Sequence, residues 1–291
     1  MSFKSVSPLK RQHPCFFAEA RGRYGRIHLP VAPACNIQCA YCRRDHDCVH
    51  ENRPGVTAGV LSPEAALDRL ERALFKMPEL AVAGIAGPGD AFCDPELTLE
   101  TFERIRQKNL DIALCVSSNG LNVKDHIPRL VELGVQFVTI TVNAGDAHIG
   151  ALLVETVRKG TLNIGGRAAA QLLIDRQMEA IAALKAVHIT VKVNSVVVPG
   201  INEAHLPHLA KKMRHLGVDL MNLLPLIPVQ GTALAGLAPP PAARMRKLRQ
   251  KAGAFVPQMY HCARCRSDAL GLLHKSGPMN TQAFPAVRRI E

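Results

Sequence analysis

Three cysteines lie within residues 35–42, at Cys35, Cys39 and Cys42, with the spacing C-x3-C-x2-C. They directly follow the apolar segment 27–31. Three thiolates on one loop can bind three irons of a 4Fe-4S cubane and leave the fourth iron open, whereas an electron-carrying 4Fe-4S site normally has four protein thiolates. An open iron can bind and reduce another molecule, so the spacing predicts a catalytic cluster.

This loop, with Tyr41 directly before its third cysteine, resembles the signature of radical S-adenosylmethionine (SAM) enzymes. The resemblance implies that the open iron chelates the amino and carboxylate groups of SAM. It also implies that the reduced cluster cleaves SAM to a 5′-deoxyadenosyl radical, so that the cofactors supply the chemistry and the protein supplies position and exclusion.

The composition excludes several other classes of protein. Nine cysteines in 291 residues are many, but the count is odd and three crowd one loop, which favours metal ligation in a reducing compartment over disulfides. The first 14 residues have no apolar run typical of a secretory signal, and no apolar stretch approaches the roughly 18 residues of a membrane helix. We expect a soluble cytoplasmic protein with no membrane partner.

The net charge of +12 first suggests a nucleic-acid partner. The charges are spread out, however, and the one dense basic run, residues 244–251, has the spacing of a solvated helix face. Three tyrosines and no tryptophan leave few platforms for base stacking. We therefore expect no nucleic-acid partner, while the excess of cations suits anionic iron–sulfur clusters and an acidic protein partner.

Apolar β-rich segments alternate with amphipathic helical patterns along the chain, and six such units in series imply parallel strands with right-handed crossovers. Ser62 and Pro63 mark the start of the first helix. The sequence predicts an α/β fold, a partial TIM-type (β/α)6 barrel, over a doubly wound open sheet, because chemically suggestive residues follow every strand. The predicted strands are 27–31, 81–86, 112–116, 137–142, 189–197 and 220–226, and the predicted helices are 63–75, 97–108, 127–133, 168–184 and 203–216.

Three regions follow from this pattern. Residues 1–26 form an N-terminal extension that carries His13 and Cys15, and residues 27–230 form the barrel. Residues 231–291 form a linker, a basic helix and a tail that carries Cys262 and Cys265. We expect both extensions to cap the mouth of the barrel.

Polar residues at the strand ends are candidate SAM contacts. The turn of residues 87–90 provides Gly87 and Gly89 for close backbone approach and Asp90 for the SAM ammonium group, although alone it reads as an ordinary loop. Around one barrel mouth, polar side chains that follow the later strands are partners for the SAM carboxylate and ribose. They are Ser118, Asn119, Asn143, Asn194 and Ser195.

Six cysteines lie outside the three-cysteine loop, and a free cysteine is usually a small buried hydrophobic residue. Cys262 and Cys265 depart from that expectation because C-x2-C is a chelating spacing for zinc or iron. Cys115 shares a strand face with Ala113 and Ser117, a face that could point into the barrel mouth. The others are Cys15 in His13-Pro14-Cys15, Cys48 in the same loop as Cys42, and Cys93.

Several motifs together resemble the NifB family of nitrogenase cofactor maturases, over approximately residues 13–273. The resemblance implies an enzyme that fuses two 4Fe-4S clusters, with a SAM-derived carbide and an added sulfur, into an 8Fe-9S-C precursor. It also implies cluster donors and a separate carrier or scaffold protein as partners, and a monomer in the minimal form without a carrier-like C-terminal domain. The motifs are 13–15, 28–42, 47–48 with Glu51 and 53–56, 114–115 with 119–120, and 261–272.

The implied ligands divide into two sets. Cys35, Cys39 and Cys42 would bind the catalytic cubane, and a second set would bind the two precursor clusters, which as ordinary cubanes would want about eight protein ligands. The second set has only six members, and such under-ligation suits substrates that must be fused and released. These six are His13, Cys15, Cys48, Cys115, Cys262 and Cys265.

Glu51 is a candidate for a labile ligand or a proton acceptor, with Arg53 beside it, although a surface ion pair is an equal reading. Cys93, at a position where the family has a small non-ligating residue, reads as a packing cysteine. Two alternatives stay open. One is a radical SAM enzyme that modifies a peptide or RNA and carries auxiliary clusters, and the other is a non-catalytic scaffold that binds zinc or a cluster.

Overall fold

The computed structural model describes residues 12–49, 52–53 and 55–273. Its central sheet has seven strands in the order β10-β1-β3-β4-β5-β8-β9. Six are parallel, and β10 pairs antiparallel with β1 at one edge. The strands are β1 (Gly25–His28), β3 (Leu80–Ile85), β4 (Ala113–Ser118), β5 (Val135–Thr141), β8 (Thr190–Val197), β9 (Leu220–Pro225) and β10 (Leu270–Leu272). The α/β partial barrel is confirmed, and five of the six predicted strands agree with the structure to within two residues at each end.

Helices connect these strands, and the first begins where the sequence predicts. The Ser62 side chain accepts a hydrogen bond from the Ala65 N–H at 3.1 Å, and Pro63 is the first helical residue. The larger helices pack on the sheet through buried apolar side chains such as Leu70, Phe102 and Ile181. The helices are α1 (Pro63–Lys76), α2 (Pro95–Gln107), α3 (Val123–Glu132), α4 (Ala147–Ala151), α5 (Gly166–Ala186), α6 (Leu206–His215) and α7 (Ala242–Gly253).

The two faces of the parallel strands have different roles. On β4, Leu114 and Val116 belong to the core beneath the helices, whereas Cys115 and Ser117 face a cleft on the other side. The same alternation on β8 directs Lys192 to the cleft. Strands with one apolar face and one chemically active face therefore position the site, as the alternation around Cys115 predicts.

A second, three-stranded antiparallel sheet was not predicted from the sequence. It consists of β2 (Ile37–Cys39), β6 (Val154–Lys159) and β7 (Leu162–Gly165) in the order β2-β6-β7. Its strands are short, and β6 does not alternate regularly between buried and exposed residues, so the period-2 signal is weak. This sheet holds Cys39 opposite Val154 and thereby anchors the three-cysteine loop.

The first strand differs from its prediction, because it covers Gly25–His28 and not 27–31. Pro30 has no N–H to donate to a strand ladder, which ends regular pairing there. The tail returns to this strand through β10, and the His28 N–H donates to the Ala269 carbonyl at 2.8 Å. Within the described ranges, none of the helices has the length and apolar character needed to cross a bilayer.

Candidate functional site

The three-cysteine loop lines a cleft of about 660 Å³ at the carboxyl ends of β3 and β4. We call it the cysteine-loop cleft. It is also lined by Cys48, which the sequence predicts as a ligand of a precursor cluster. The other predicted residues that line it are those for the SAM cluster and for SAM itself, namely Cys35, Cys39, Cys42, Gly89, Asp90, Ser118 and Asn119.

The glycines of the 87–90 turn allow it to pack directly against the chain ahead of Cys35. The Gly89 N–H donates to the Ala32 carbonyl at 2.7 Å, and the Asp90 N–H donates to the Ala34 carbonyl at 2.8 Å. A Cβ on Gly89 would lie 2.0 Å from the Ala34 carbonyl oxygen, a separation that no side chain tolerates. The turn therefore aligns the three-cysteine loop with the end of β3.

Asp90 is buried and its carboxylate is occupied by donors of this chain. It accepts the Ser118 hydroxyl at 3.0 Å, the Asn119 N–H at 2.5 Å and the Phe92 N–H at 2.9 Å. Burial raises the pKa of Asp90 and thus works against the anionic form that a SAM ammonium contact needs, although these hydrogen bonds oppose the shift. The geometry gives Asp90 a positioning role between β3 and β4, and its contact with SAM stays a prediction.

Asn119 connects this network to the three-cysteine loop. Its side-chain amide donates to the Asn36 side chain at 2.6 Å and lies 3.7 Å from the Cys35 sulfur. The Leu121 N–H donates to its amide oxygen at 2.9 Å, which holds the orientation. Asn119 and Ser118 thus face the cleft as predicted.

Other predicted SAM contacts have partners elsewhere in the fold. The Asn143 amide donates to the Tyr41 hydroxyl at 2.6 Å, and its oxygen accepts the Val196 N–H at 2.8 Å. The Ser195 hydroxyl donates to the Val142 carbonyl. None of Tyr41, Asn143 and Ser195 lines the cysteine-loop cleft. Gly87 adopts a φ of +127° in the turn, a backbone conformation that favours glycine. Asn194 lines another cleft, which lies beside this one.

The second cleft, of about 630 Å³, lies beside the first and shares Ala86 and Ser117 with it. We call it the histidine–cysteine cleft. It brings together residues from the N-terminal extension, from β4 and from the tail, which are far apart in the sequence. They are His13, Cys15, Cys115, Cys262 and Cys265. Five of the six predicted precursor-cluster ligands therefore face one cavity, and Cys48 faces the adjoining one.

The histidine–cysteine cleft carries positive charge. Arg26, Lys192 and Arg264 line it, and no carboxylate does among the described residues. The Arg26 guanidinium donates to the Cys265 sulfur at 3.0 Å. Burial by itself would lower the pKa of Arg26, but the nearby Cys265 and Cys15 thiols raise it. A buried cavity with this charge balance suits anionic occupants.

His13 has the properties of a ligand in this cleft. The Cys15 N–H donates to its Nδ1 at 3.1 Å, and its Nε2 is buried with no hydrogen-bond partner among the described residues. Burial, assisted by Lys192, holds the pKa of His13 well below its usual value, so the ring is neutral. A neutral imidazole is the form that binds metals.

The thiols also fit clusters. Burial raises the pKa of Cys15 to about 12 and raises that of Cys39 well above its ordinary value, the latter with contributions from Cys42 and Cys35. Such thiols become thiolates only when a cation compensates them, as iron does. No three candidate ligands among the described residues converge as they would on a single metal ion. Thiolates of a cubane bind separate irons and so need not converge on one point, which allows this donor set to hold a cluster.

Two predicted site residues, Arg53 and Glu51, and the packing cysteine Cys93 remain. Arg53 is exposed, and its backbone N–H donates to the Cys265 carbonyl at 2.9 Å. Glu51 lies outside the described residues. Cys93 lines neither cleft, and its sulfur accepts a hydrogen bond from Arg158 at 3.2 Å.

Sequence reasoning missed the cations of the histidine–cysteine cleft. Lys192 offered a signal, because it is the only charged residue in the apolar segment 189–197. A charge within a strand that is buried on both faces marks a functional position. Arg26 offered no such signal, since it directly precedes the predicted strand.

Comparison with known proteins agrees with this geometry. Residues 29–213 match the family model of the radical SAM superfamily. The chain is 46% identical over 276 residues to the FeMo cofactor biosynthesis protein NifB of Chlorobaculum tepidum, which covers 95% of this chain and 64% of the relative. For NifB of Klebsiella pneumoniae the identity is 40%, covering 94% of this chain and 59% of the relative. The chain thus spans about three-fifths of the length of these relatives.

Solved structures share the fold. Streptococcus suis SuiB aligns with a TM-score of 0.56 at 14% identity, covering 81% of this chain and 49% of SuiB. Methylornithine synthase PylB aligns with a TM-score of 0.51 at 14% identity, covering 80% and 71%. The FeFe-hydrogenase maturase HydG of Carboxydothermus hydrogenoformans aligns at 0.55 and 14%, covering 86% and 56%. By its family match, its barrel and its three-cysteine loop, the chain belongs to the radical SAM superfamily, and over nearly its whole length it is similar to NifB proteins of FeMo cofactor biosynthesis.

Proposed function

We propose that this protein fuses two 4Fe-4S clusters, with a SAM-derived carbide and an added sulfur, into the 8Fe-9S-C precursor of the nitrogenase cofactor. The observation that carries the proposal is the pair of adjoining clefts. One holds the three-cysteine loop, and the other holds four further cysteines and His13. The names of the relatives, FeMo cofactor biosynthesis proteins, support it.

In the cysteine-loop cleft, Cys35, Cys39 and Cys42 would hold the resident 4Fe-4S cluster with SAM on its open iron. When bound, this pair supplies a 5′-deoxyadenosyl radical. Ser118 and Asn119 line the same cleft and would contact SAM, and the buried Asp90 keeps both in position. The two clefts share Ala86 and Ser117, so the residues that would hold SAM adjoin those that would hold the substrate clusters.

The histidine–cysteine cleft would hold the substrate clusters. His13, Cys15, Cys115 and Cys265 are buried or half-buried, whereas Cys262 is exposed and could receive a cluster from outside. Cys48 lines the cysteine-loop cleft, so it could hold the substrate at the boundary between the two. Arg26 and Lys192 would balance the negative charge of the clusters.

Glu51 stays our candidate for a labile ligand or a proton acceptor during removal of the methyl hydrogens. Its neighbour Arg53 contacts the backbone of Cys265, and Arg264 donates to the Val49 carbonyl at 3.1 Å. This segment of the chain is therefore tied to the C-x2-C motif. A Glu51→Gln variant that loads iron fully but forms no product would support the role, and one with full product would exclude it.

The proposed reaction also has requirements for the cellular compartment and the protein partners. Thiol ligands must stay reduced, which places the protein in a reducing compartment such as the cytoplasm. We propose that a monomer receives clusters from donor proteins and passes its product to a separate carrier or scaffold.

Iron analysis of the anaerobically reconstituted protein tests the proposal. Three 4Fe-4S clusters correspond to about twelve irons per chain. A Cys15→Ala/Cys265→Ala variant should keep about four irons and still release 5′-deoxyadenosine with SAM and dithionite. A ceiling near four irons in the unsubstituted protein, or colourless protein that contains zinc, would contradict the proposal.

A further inference from the structure

Arg26 is a buried arginine that contacts one of the candidate cluster ligands. It lies within β1 and is only 1% exposed. Because side chains alternate along a strand, Ile27 packs into the core beneath the helices, while Arg26 and His28 face the histidine–cysteine cleft. A charged side chain in such a position loses its hydration, so the fold must supply polar partners for it.

The C-terminal tail supplies two of these partners. The guanidinium donates through Nη1 to the carbonyl of Gly271, which lies directly opposite Arg26 in the pairing of β1 with β10. It donates through Nη2 to the Cys265 sulfur at 3.0 Å. The planar guanidinium holds its donors in a fixed geometry. The contact with Gly271 therefore also fixes the direction of the donor that points at Cys265.

The two cysteines of the C-x2-C motif have different surroundings. Cys265 is buried and accepts the Arg26 guanidinium, whereas Cys262 is exposed. The backbone of Cys265 is also held, because its carbonyl accepts the Arg53 N–H at 2.9 Å. An iron bound at Cys265 would therefore have a buried positive charge beside its ligand, in a position that the fold sets.

A hydrogen bond to a ligating sulfur changes the redox behaviour of a cluster. Net charge and hydrogen bonds to the sulfurs are among the factors that set the reduction potential of an iron–sulfur cluster. Reduction adds one negative charge, part of which lies on the thiolates, so a cationic donor stabilises the reduced cluster more than the oxidised one. Burial strengthens the effect, because little solvent screens the charge.

We propose that Arg26 is a positioning residue that keeps its hydrogen bond to the Cys265 thiolate when a substrate cluster is bound, and that it thereby raises the reduction potential of that cluster. The inference rests on the proposed function for the identity of the cluster. At a given strength of reductant, the cluster held by Cys265 is then more fully reduced than it would be without Arg26.

The test is a potentiometric titration of the substrate clusters, followed by electron paramagnetic resonance. It uses the full chain with Cys35→Ala/Cys39→Ala/Cys42→Ala, which removes the signals of the SAM cluster. After anaerobic reconstitution, this background should bind about eight irons as two 4Fe-4S clusters. Adding Arg26→Met should lower the ratio of reduced to oxidised cluster at a fixed potential by at least about tenfold, which is about 59 mV for a one-electron couple.

Arg266→Met in the same background is the matched control. Arg266 directly follows Cys265, but its guanidinium donates to both carboxylate oxygens of Asp268, at 2.7 and 3.0 Å. The control thus removes the same side chain without removing the bond to the Cys265 sulfur. It should change the ratio by less than about threefold, because a half-buried charge that is already paired acts weakly on its surroundings.

A second variant, Arg26→Lys, keeps the positive charge but loses the fixed geometry of the guanidinium. Its ratio should lie between those of the background and of Arg26→Met. If Arg26→Met fails to fold, as judged by circular dichroism, Arg26→Lys decides, and an unchanged ratio in it overturns the inference.

The outcomes separate this inference from the proposed function. An unshifted potential in Arg26→Met with about eight irons bound would overturn the role of Arg26 and leave the proposed function standing. An equal shift in Arg266→Met would do the same, since the effect would then not depend on the hydrogen bond. A background that binds no iron would overturn the proposed function and this inference with it.

Discussion

Replacing Gly89 by alanine tests how the 87–90 turn supports the three-cysteine loop. The added Cβ would lie 2.0 Å from the oxygen and 2.5 Å from the carbonyl carbon of Ala34. Both are backbone atoms, so no side-chain rotation relieves the contact. The turn must move away from the chain that precedes Cys35.

The cost has two parts. Moving the turn breaks the hydrogen bonds from Gly89 to Ala32 and from Asp90 to Ala34, each contributing about 1 kcal/mol. Residual overpacking adds about 2 kcal/mol. We therefore expect a loss of about 4 kcal/mol of folding free energy, which for a protein of this size lowers Tm by about 8–16 °C. If the loop moves instead, stability survives but cluster binding does not.

The assay compares Gly89→Ala with Gly236→Ala. Gly236 is exposed, and a Cβ there would meet nothing within 4 Å. Tm, iron content and 5′-deoxyadenosine release are measured for both variants after anaerobic reconstitution. Should Gly89→Ala match Gly236→Ala in all three, the reasoning about this turn is wrong.

The remaining predictions concern other parts of the fold. Cys35→Ala should abolish 5′-deoxyadenosine release, whereas Cys93→Ala, whose sulfur lines neither cleft, should retain it; equal loss in both would make Cys93 part of the site. Lys192→Met should lower iron loading of the histidine–cysteine cleft while SAM cleavage persists, because the cavity loses a buried cation. Full loading measured by iron analysis would refute that role. Ser62→Ala should remove an N-cap, cost about 1 kcal/mol and lower Tm by about 2–4 °C, and an unchanged Tm would show that the cap contributes nothing.

The fold was predictable to the extent that its elements are regular. The parallel strands are largely buried on both faces, and most of them contain apolar runs that are visible in the sequence. The sheet of β2, β6 and β7 escaped prediction because its strands are short and weakly patterned. The β10 strand, whose residues are only half-buried, depends on pairing with β1 and has no pattern of its own.

The candidate site, like the fold, was predictable from the sequence only in part. Ser118 and Asn119 could be placed from the sequence, since the carboxyl ends of neighbouring parallel strands meet at one edge of a sheet. The hydrogen-bond partners of Asn143 and Ser195 could not be predicted from the sequence. Both were predicted to contact SAM because they lie near the carboxyl ends of strands, but their side chains form hydrogen bonds with the neighbouring backbone.

The sequence by itself determined the iron–sulfur chemistry, because the spacing of Cys35, Cys39 and Cys42 is local and needs only one loop to place three thiols together. Only the tertiary structure decided how the other candidate ligands divide. His13 and Cys265 come from opposite ends of the chain, and they share a cleft because β10 returns to β1 and the N-terminal extension packs beside Phe137. That convergence, and the separate position of Cys48 beside the three-cysteine loop, depends on contacts between distant segments that no local spacing encodes.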